Sequence, residues 1–158
     1  MPIKVGDKLP SIELYENSPV NKVNILNLCS GKKVVLFAVP GAFTPGCSKT
    51  HLPGYVKEAD NLKEHGIGEI ICVAVNDVFV LNAWGKEQGT EGKVRLLSDP
   101  LATFTKTIEL STEIPAMGGT RSMRYSMLLD DGVIKALNVE PDGTGLSCSL
   151  ASHMKQKL

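Results

Sequence analysis

The sequence has no net charge, since seventeen Lys and Arg cancel seventeen Asp and Glu. No global field therefore draws it to nucleic acid or to an anionic membrane surface. It also lacks a long apolar run. Its uncharged stretch 34–48 is broken by Pro40, Gly41, Pro45 and Gly46 and falls short of the ~20 apolar residues of a membrane helix. Closely paired metal ligands are missing too. Cys29, Cys47, Cys72 and Cys148 are far apart, as are His51, His65 and His153, and no H-E-x-x-H occurs, so neither a structural nor a catalytic metal is expected. There is no Walker loop. The run Gly143 to Cys148 opens like a dinucleotide fingerprint, but its sixth position is Cys and no βαβ unit follows, so no nucleotide cofactor is expected. The N-terminus shows no signal-type apolar stretch and carries Asp7, so an intracellular, reducing compartment is expected. Gln156-Lys157-Leu158 shares only its last two residues with a peroxisomal SKL-type address.

What the sequence does contain is enough for one core. A chain of 158 residues, 42% hydrophobic and 22% charged, has the size and composition of a single globular domain, taken here as residues 1–158. From Val34 onward, short apolar runs alternate with amphipathic stretches, the pattern of an α/β protein with a largely parallel sheet. Val34 to Val39 and Glu69 to Asn76 read as strands buried on both faces, and Val94 to Ser98 repeats the theme. A helix from Cys47 to His65 is expected from the spacing of Leu52, Tyr55, Val56, Ala59 and Leu62, with a kink at Pro53. Asp77 caps a helix whose inner face is Val80, Leu81 and Trp84. Asp99-Pro100 opens another, with Leu101, Phe104 and Ile108 turned inward. Ser122 to Leu129 and Val133 to Val139 form an antiparallel hairpin around Asp130-Asp131-Gly132. The tail from Ser147 is weakly helical. Parallel units followed by a hairpin suggest a thioredoxin-like sheet.

Cys47 stands apart from the other cysteines because it follows a strand and a tight loop and opens a helix. A helix N-terminus contributes only ~0.3–1 kcal/mol to an adjacent anion, less than the ~1.4 kcal/mol of one pKa unit. A reactive thiolate there needs a cation as well, and Arg121 and Arg124 are the candidates. Attack on an O–O bond further calls for preorganised donors around the two oxygens, for which the Thr44 hydroxyl, a guanidinium and backbone amides are suited.

Residues 40–47, Pro-Gly-Ala-Phe-Thr-Pro-Gly-Cys, resemble the P-x-x-x-T-x-x-C motif of the peroxiredoxins. The likeness extends through residues 48–55, Val75-Asn76-Asp77, Trp84-Gly85 and 136–143, and it points to the peroxiredoxin-5 subgroup. The resemblance implies a thioredoxin-like fold with a central mixed sheet flanked by helices and an N-terminal extension. It implies a thiol peroxidase for hydrogen peroxide and alkyl hydroperoxides. In that reading Cys47 is the peroxidatic thiolate, Thr44 a donor to the peroxide, Pro40 a shield over the sulfur, and Gly46 part of the substrate turn. The family's arginine corresponds to Arg124, within Arg124-Tyr125-Ser126, which leaves Arg121 as a solvated charge. The late cysteine after Asp-Gly-Thr-Gly-Leu corresponds to Cys148, which would resolve the Cys47 sulfenic acid as an intramolecular disulfide reopened by a thioredoxin-like reductant. A homodimer and a cytosolic, mitochondrial or peroxisomal address are further implications.

Two other readings compete. A disulfide reductase normally uses C-x-x-C, and here Thr44 takes the place of its first cysteine. A redox-sensing or binding protein on the same fold would have little use for Pro40, Thr44, Cys47 and Arg124 together. Cys72 reads as a small buried hydrophobe and Cys29 similarly; His51 reads equally as an orienting, capping or surface residue.

Overall fold

The computed structural model describes residues 2–158. A seven-stranded mixed sheet runs β2 (Ser18–Asn24), β1 (Glu13–Glu16), β5 (Arg95–Ser98), β4 (Ile67–Ala74), β3 (Lys33–Val39), β8 (Tyr125–Asp130), β9 (Val133–Val139). Strands β3, β4 and β5 are parallel, and β8 joins β3 antiparallel. This is the thioredoxin-like α/β arrangement, extended by the N-terminal β1–β2 hairpin, which docks on β5.

Alternation along β3 builds two cores. Val34, Leu36 and Ala38 point to one face with Ile71, Val73, Phe104 and Met127. Val35, Phe37 and Val39 point to the other with Cys47, Tyr55, Cys72 and Trp84. Both faces are therefore apolar, which is why β3 reads as an unbroken hydrophobic run. The first face carries α1 (Ile25–Cys29) and α4 (Thr103–Thr107); the second carries α2 (Leu52–Glu64), α3 (Val78–Gln88) and α5 (Ala151–Lys155). Helix α2 buries Leu52, Tyr55, Ala59 and Leu62, and each full Leu burial stabilises by roughly 1.5–3 kcal/mol.

Several details depart from the sequence reading. The expected single helix is divided: a π-helical turn, Cys47–His51, precedes α2 and is closed by Leu52 N–H donating to the Cys47 carbonyl. Pro53 sits at the start of α2 and lacks the N–H that would continue the usual pattern from the turn before. Leu101 is 81% exposed rather than inward, whereas Phe104 and Ile108 are buried. The Asp99 carboxylate caps α4 from five residues away, accepting from Phe104 N–H at 3.1 Å and Thr105 N–H at 2.8 Å, so the turn between them swings Leu101 outward. Val80 on α3 is only half-buried. The expected strand 122–129 is two: β7 (Gly119–Ser122) pairs with β6 (Ser111–Ile114) as a separate ribbon, and β8 begins at Tyr125. The 131–132 turn does form, with both residues at positive φ, 51° and 78°, the geometry of a two-residue hairpin.

Candidate active site

The loop after β3 is held by the strand ends around it. Ala42 N–H donates to Asn76 Oδ1 at 3.0 Å, just beyond β4. Phe43 adopts φ 64° in a turn closed by Thr44 N–H on the Gly41 carbonyl at 3.4 Å, a conformation a non-glycine residue holds only where its surroundings impose it. Ser48 N–H then donates to the Thr44 carbonyl at 2.9 Å, starting the turn that carries Cys47. Trp84 Nε1 anchors that turn from α3 by donating to Ser48 Oγ at 2.9 Å.

Cys47 is fully buried. Arg124, 3% exposed and placed between β7 and β8, donates from Nη2 to Cys47 Sγ at 3.2 Å. Its other terminal nitrogen meets His51 Nδ1 at 2.9 Å and its Nε donates to the Thr144 carbonyl at 3.2 Å. Arginine only donates, so His51 Nδ1 accepts, and Nε2 carries the proton and donates to the Ser149 carbonyl at 3.2 Å. Burial first, and the Arg124 guanidinium second, pull the His51 pKa down to about 3, so the ring is a neutral relay and not a second cation. Tyr55 also donates to Ser149 O at 2.8 Å and stacks on Phe37 with centroids 4.0 Å apart. No carboxylate pairs with Arg124 among the described residues. A buried cation without a counter-ion is costly, and the nearest atom suited to carry the compensating charge is the Cys47 sulfur.

Three more of the expected residues, Pro40, Thr44 and Gly46, lie on the loop that leads into Cys47. Gly46 leaves room for the cation: a Cβ there would lie 3.2 Å from Arg124 Nη2 and 3.2 Å from Leu146 Cδ1. Pro40 is buried at the end of β3. Thr44, expected as a donor to the peroxide, is not one in this arrangement: its Oγ1 donates to the Gly41 carbonyl at 2.6 Å, so its hydrogen is engaged there and its lone pairs remain to accept from an incoming O–H. Arg121, expected as a solvated charge, is not one. It is partly buried and donates to the Val75 carbonyl at 2.9 Å and twice to the Met117 carbonyl, tying the β6–β7 ribbon to the end of β4.

The other thiols are set differently. Cys29 lies in the core on the opposite face of the sheet from Cys47, and burial pushes its pKa up to about 12. Cys72 shares the Cys47 face, where burial first and then Cys47 itself raise its pKa. Cys148 is half-buried in the loop after β9, its Sγ 3.5 Å from the Val139 carbonyl. Burial, then the Glu140 carboxylate, raise its pKa. All four are free thiols, and no hydrogen bond joins Cys148 to Cys47.

Glu140 and Ser149 escaped the sequence reading. Glu140 lies in the 136–143 segment, but nothing in its residue type there announces a buried carboxylate, and Ser149 meets His51 and Tyr55 through its backbone carbonyl. His51, read equally as an orienting, capping or surface residue, is 0% exposed and so is not a surface one.

The Redoxin family matches residues 4–154. The chain is 44% identical to chloroplastic Peroxiredoxin-2E of Arabidopsis thaliana over 97% of its own length and 68% of that protein. Reduced Prx3 of Vibrio vulnificus, solved in complex with H2O2, superposes with a TM-score of 0.93 at 44% identity, covering 99% of each chain. Peroxiredoxin 5 of Alvinella pompejana gives a TM-score of 0.85 at 42% identity over 98% of this chain and 99% of that one. A buried thiol on a helical turn, one guanidinium nitrogen on its sulfur and this likeness across the whole chain have one meaning: the protein belongs to the peroxiredoxin family and is a thiol peroxidase.

Proposed function

We propose that Cys47 is the peroxidatic residue and that it reduces hydrogen peroxide and alkyl hydroperoxides. The observation that carries this is the 3.2 Å approach of Arg124 Nη2 to Cys47 Sγ, from a buried guanidinium that pairs with no carboxylate among the described residues. The Cys47 thiolate attacks the terminal peroxide oxygen. An S–O bond forms as the O–O bond breaks, sulfur is oxidised to the sulfenic acid, and the leaving alkoxide or hydroxide takes a proton from water. Arg124 donates to both oxygens as charge spreads over them, Thr44 orients the peroxide hydroxyl, Gly46 lets the substrate close on the turn, and Pro40 keeps water off the sulfur.

In the second step Cys148 attacks the Cys47 sulfenic sulfur. An S–S bond forms, the S–O bond breaks, and the hydroxyl leaves as water with the Cys148 proton. Cys148 is the only one of the remaining thiols in a half-exposed loop, which supports it over Cys29 and Cys72. A thioredoxin-like dithiol then reopens the disulfide, which fits a reducing intracellular compartment. The chain works as a homodimer, a reading supported by Phe79 and Leu101, 67% and 81% exposed along one cleft. Stopped-flow mixing with hydrogen peroxide tests the first step. A second-order rate orders of magnitude above that of free cysteine is expected, and a rate equal to free cysteine would overturn it.

A further inference from the structure

The loop that carries Cys148 is fastened by two carboxylates, and one of them holds the residues on either side of the thiol. Glu140, 1% exposed at the end of β9, accepts four hydrogen bonds from the two residues flanking Cys148. Ser147 N–H donates at 2.9 Å and Ser147 Oγ at 2.6 Å; Ser149 N–H donates at 2.8 Å and Ser149 Oγ at 2.6 Å. Gly145 passes close over it, where a Cβ would stand 3.2 Å from Glu140 Oε1. Asp142 pins the same loop through Thr144 N–H and Gly145 N–H, at 3.0 and 2.7 Å. The fastened loop is also the back wall of the peroxide site, because its Thr144 and Ser149 carbonyls receive Arg124 and His51.

We infer that Glu140 is a positioning residue that clasps the Cys148 loop in the peroxide-reducing arrangement and must release Ser147 and Ser149 before Cys148 can reach Cys47. The inference rests on the proposed resolving role of Cys148. A disulfide needs the two Cα atoms within about 7 Å and the sulfurs bonded, while Cys47 is fully buried and the Cys148 Sγ is turned to the Val139 carbonyl. Moving Cys148 inward moves its immediate neighbours, and with them all four bonds to Glu140. The same motion withdraws the carbonyls from Arg124 and His51, so disulfide formation dismantles the peroxide site. The clasp thus divides the cycle into two exclusive states. Burial alone would raise the Glu140 pKa, yet the Ser147 and Ser149 hydrogen bonds overcome it and bring it to about 2, which is consistent with a carboxylate held charged by its donors. Beside it, burial and then the Glu140 carboxylate raise the Cys148 pKa.

The clasp predicts an effect opposite in sign to simple loss of structure. In single-turnover rapid-quench experiments with one equivalent of hydrogen peroxide, Glu140→Gln should form the Cys47–Cys148 disulfide about tenfold faster than the native chain, the factor expected for roughly 1.4 kcal/mol of lost charge-assisted hydrogen bonding. Its Cys47 should also accumulate less sulfinic acid at excess peroxide, and its first oxidation should slow severalfold as Arg124 loses its brace. The double variant Ser147→Ala with Ser149→Ala keeps the carboxylate and the backbone donors. It should show the same two shifts at smaller size, and it serves if Glu140→Gln unfolds. Resolution at the native rate, or slower, in the folded variants would overturn the clasp. A native chain that forms no Cys47–Cys148 disulfide would show, before any variant is made, that the resolving role fails and the clasp with it.

Discussion

The two thiols assigned to the catalytic cycle have opposite surroundings. Cys47 is fully buried against a guanidinium, on a turn fixed by Trp84 and the β3 and β4 ends. Cys148 is half-buried beside a carboxylate, in a loop fixed by hydrogen bonds to that one group and to Asp142. In the proposed cycle the cation faces the sulfur that attacks first, and the carboxylate holds the loop of the sulfur that attacks second. The peroxidase needs both, because a second thiol as reactive as the first would compete for peroxide instead of resolving its product.

The contrast is broken most severely by removing the first sulfur: Cys47→Ser should abolish peroxide turnover in a coupled assay, and retained consumption would refute its role. Next comes Arg124→Leu, which removes the cation and the donors together; the rate with hydrogen peroxide should fall ~10²–10³-fold, as for loss of a preorganised donor. Arg121→Leu should cost far less activity and act through stability, because its donors are spent on the Val75 and Met117 carbonyls.

His51 gives a pH-dependent test. Its pKa in the folded chain is about 3 against 6.5 when free, so the unfolded chain binds the extra proton below about pH 6.5 and stability falls as pH drops from there towards 3. Between pH 7 and 5 the loss amounts to about 2 kcal/mol. Urea midpoints of the native chain should show it, and those of His51→Asn should be flatter over that range. Glu140 adds a second loss at lower pH: its stabilisation is present above about 4.5 and disappears as pH falls towards about 2.

The smallest signals concern motion. Trp84, the single tryptophan, donates to Ser48 on the active-site turn, so unwinding of that turn during disulfide formation should shift its fluorescence. Cys148→Ser should leave the first oxidation rate unchanged while removing the second phase of that signal.

Much of this was legible in the sequence, and the parts that were not share a cause. Buried strands announced themselves as the apolar runs Val34 to Val39 and Glu69 to Asn76, and Cys47 by its place after Pro40, Thr44 and Gly46. Local signals sufficed because those residues are neighbours in the chain. The links His51–Arg124, 73 residues apart, and His51–Ser149, 98 apart, exist only through the fold, and two of the acceptors in the chain are backbone carbonyls that carry no residue signature. Leu101 falls on an inward position only if the helix starts at Asp99-Pro100, whereas α4 begins at Thr103. Arg121 misled because a charge on a short ribbon reads as solvated until its carbonyl partners are in view.

Nonreducing peptide mass spectrometry of the native chain after one equivalent of hydrogen peroxide tests the central pairing most directly. The account predicts one intramolecular bond, Cys47 to Cys148, with Cys29 and Cys72 still reduced. A bond from Cys47 to Cys29, to Cys72 or to another chain would contradict it.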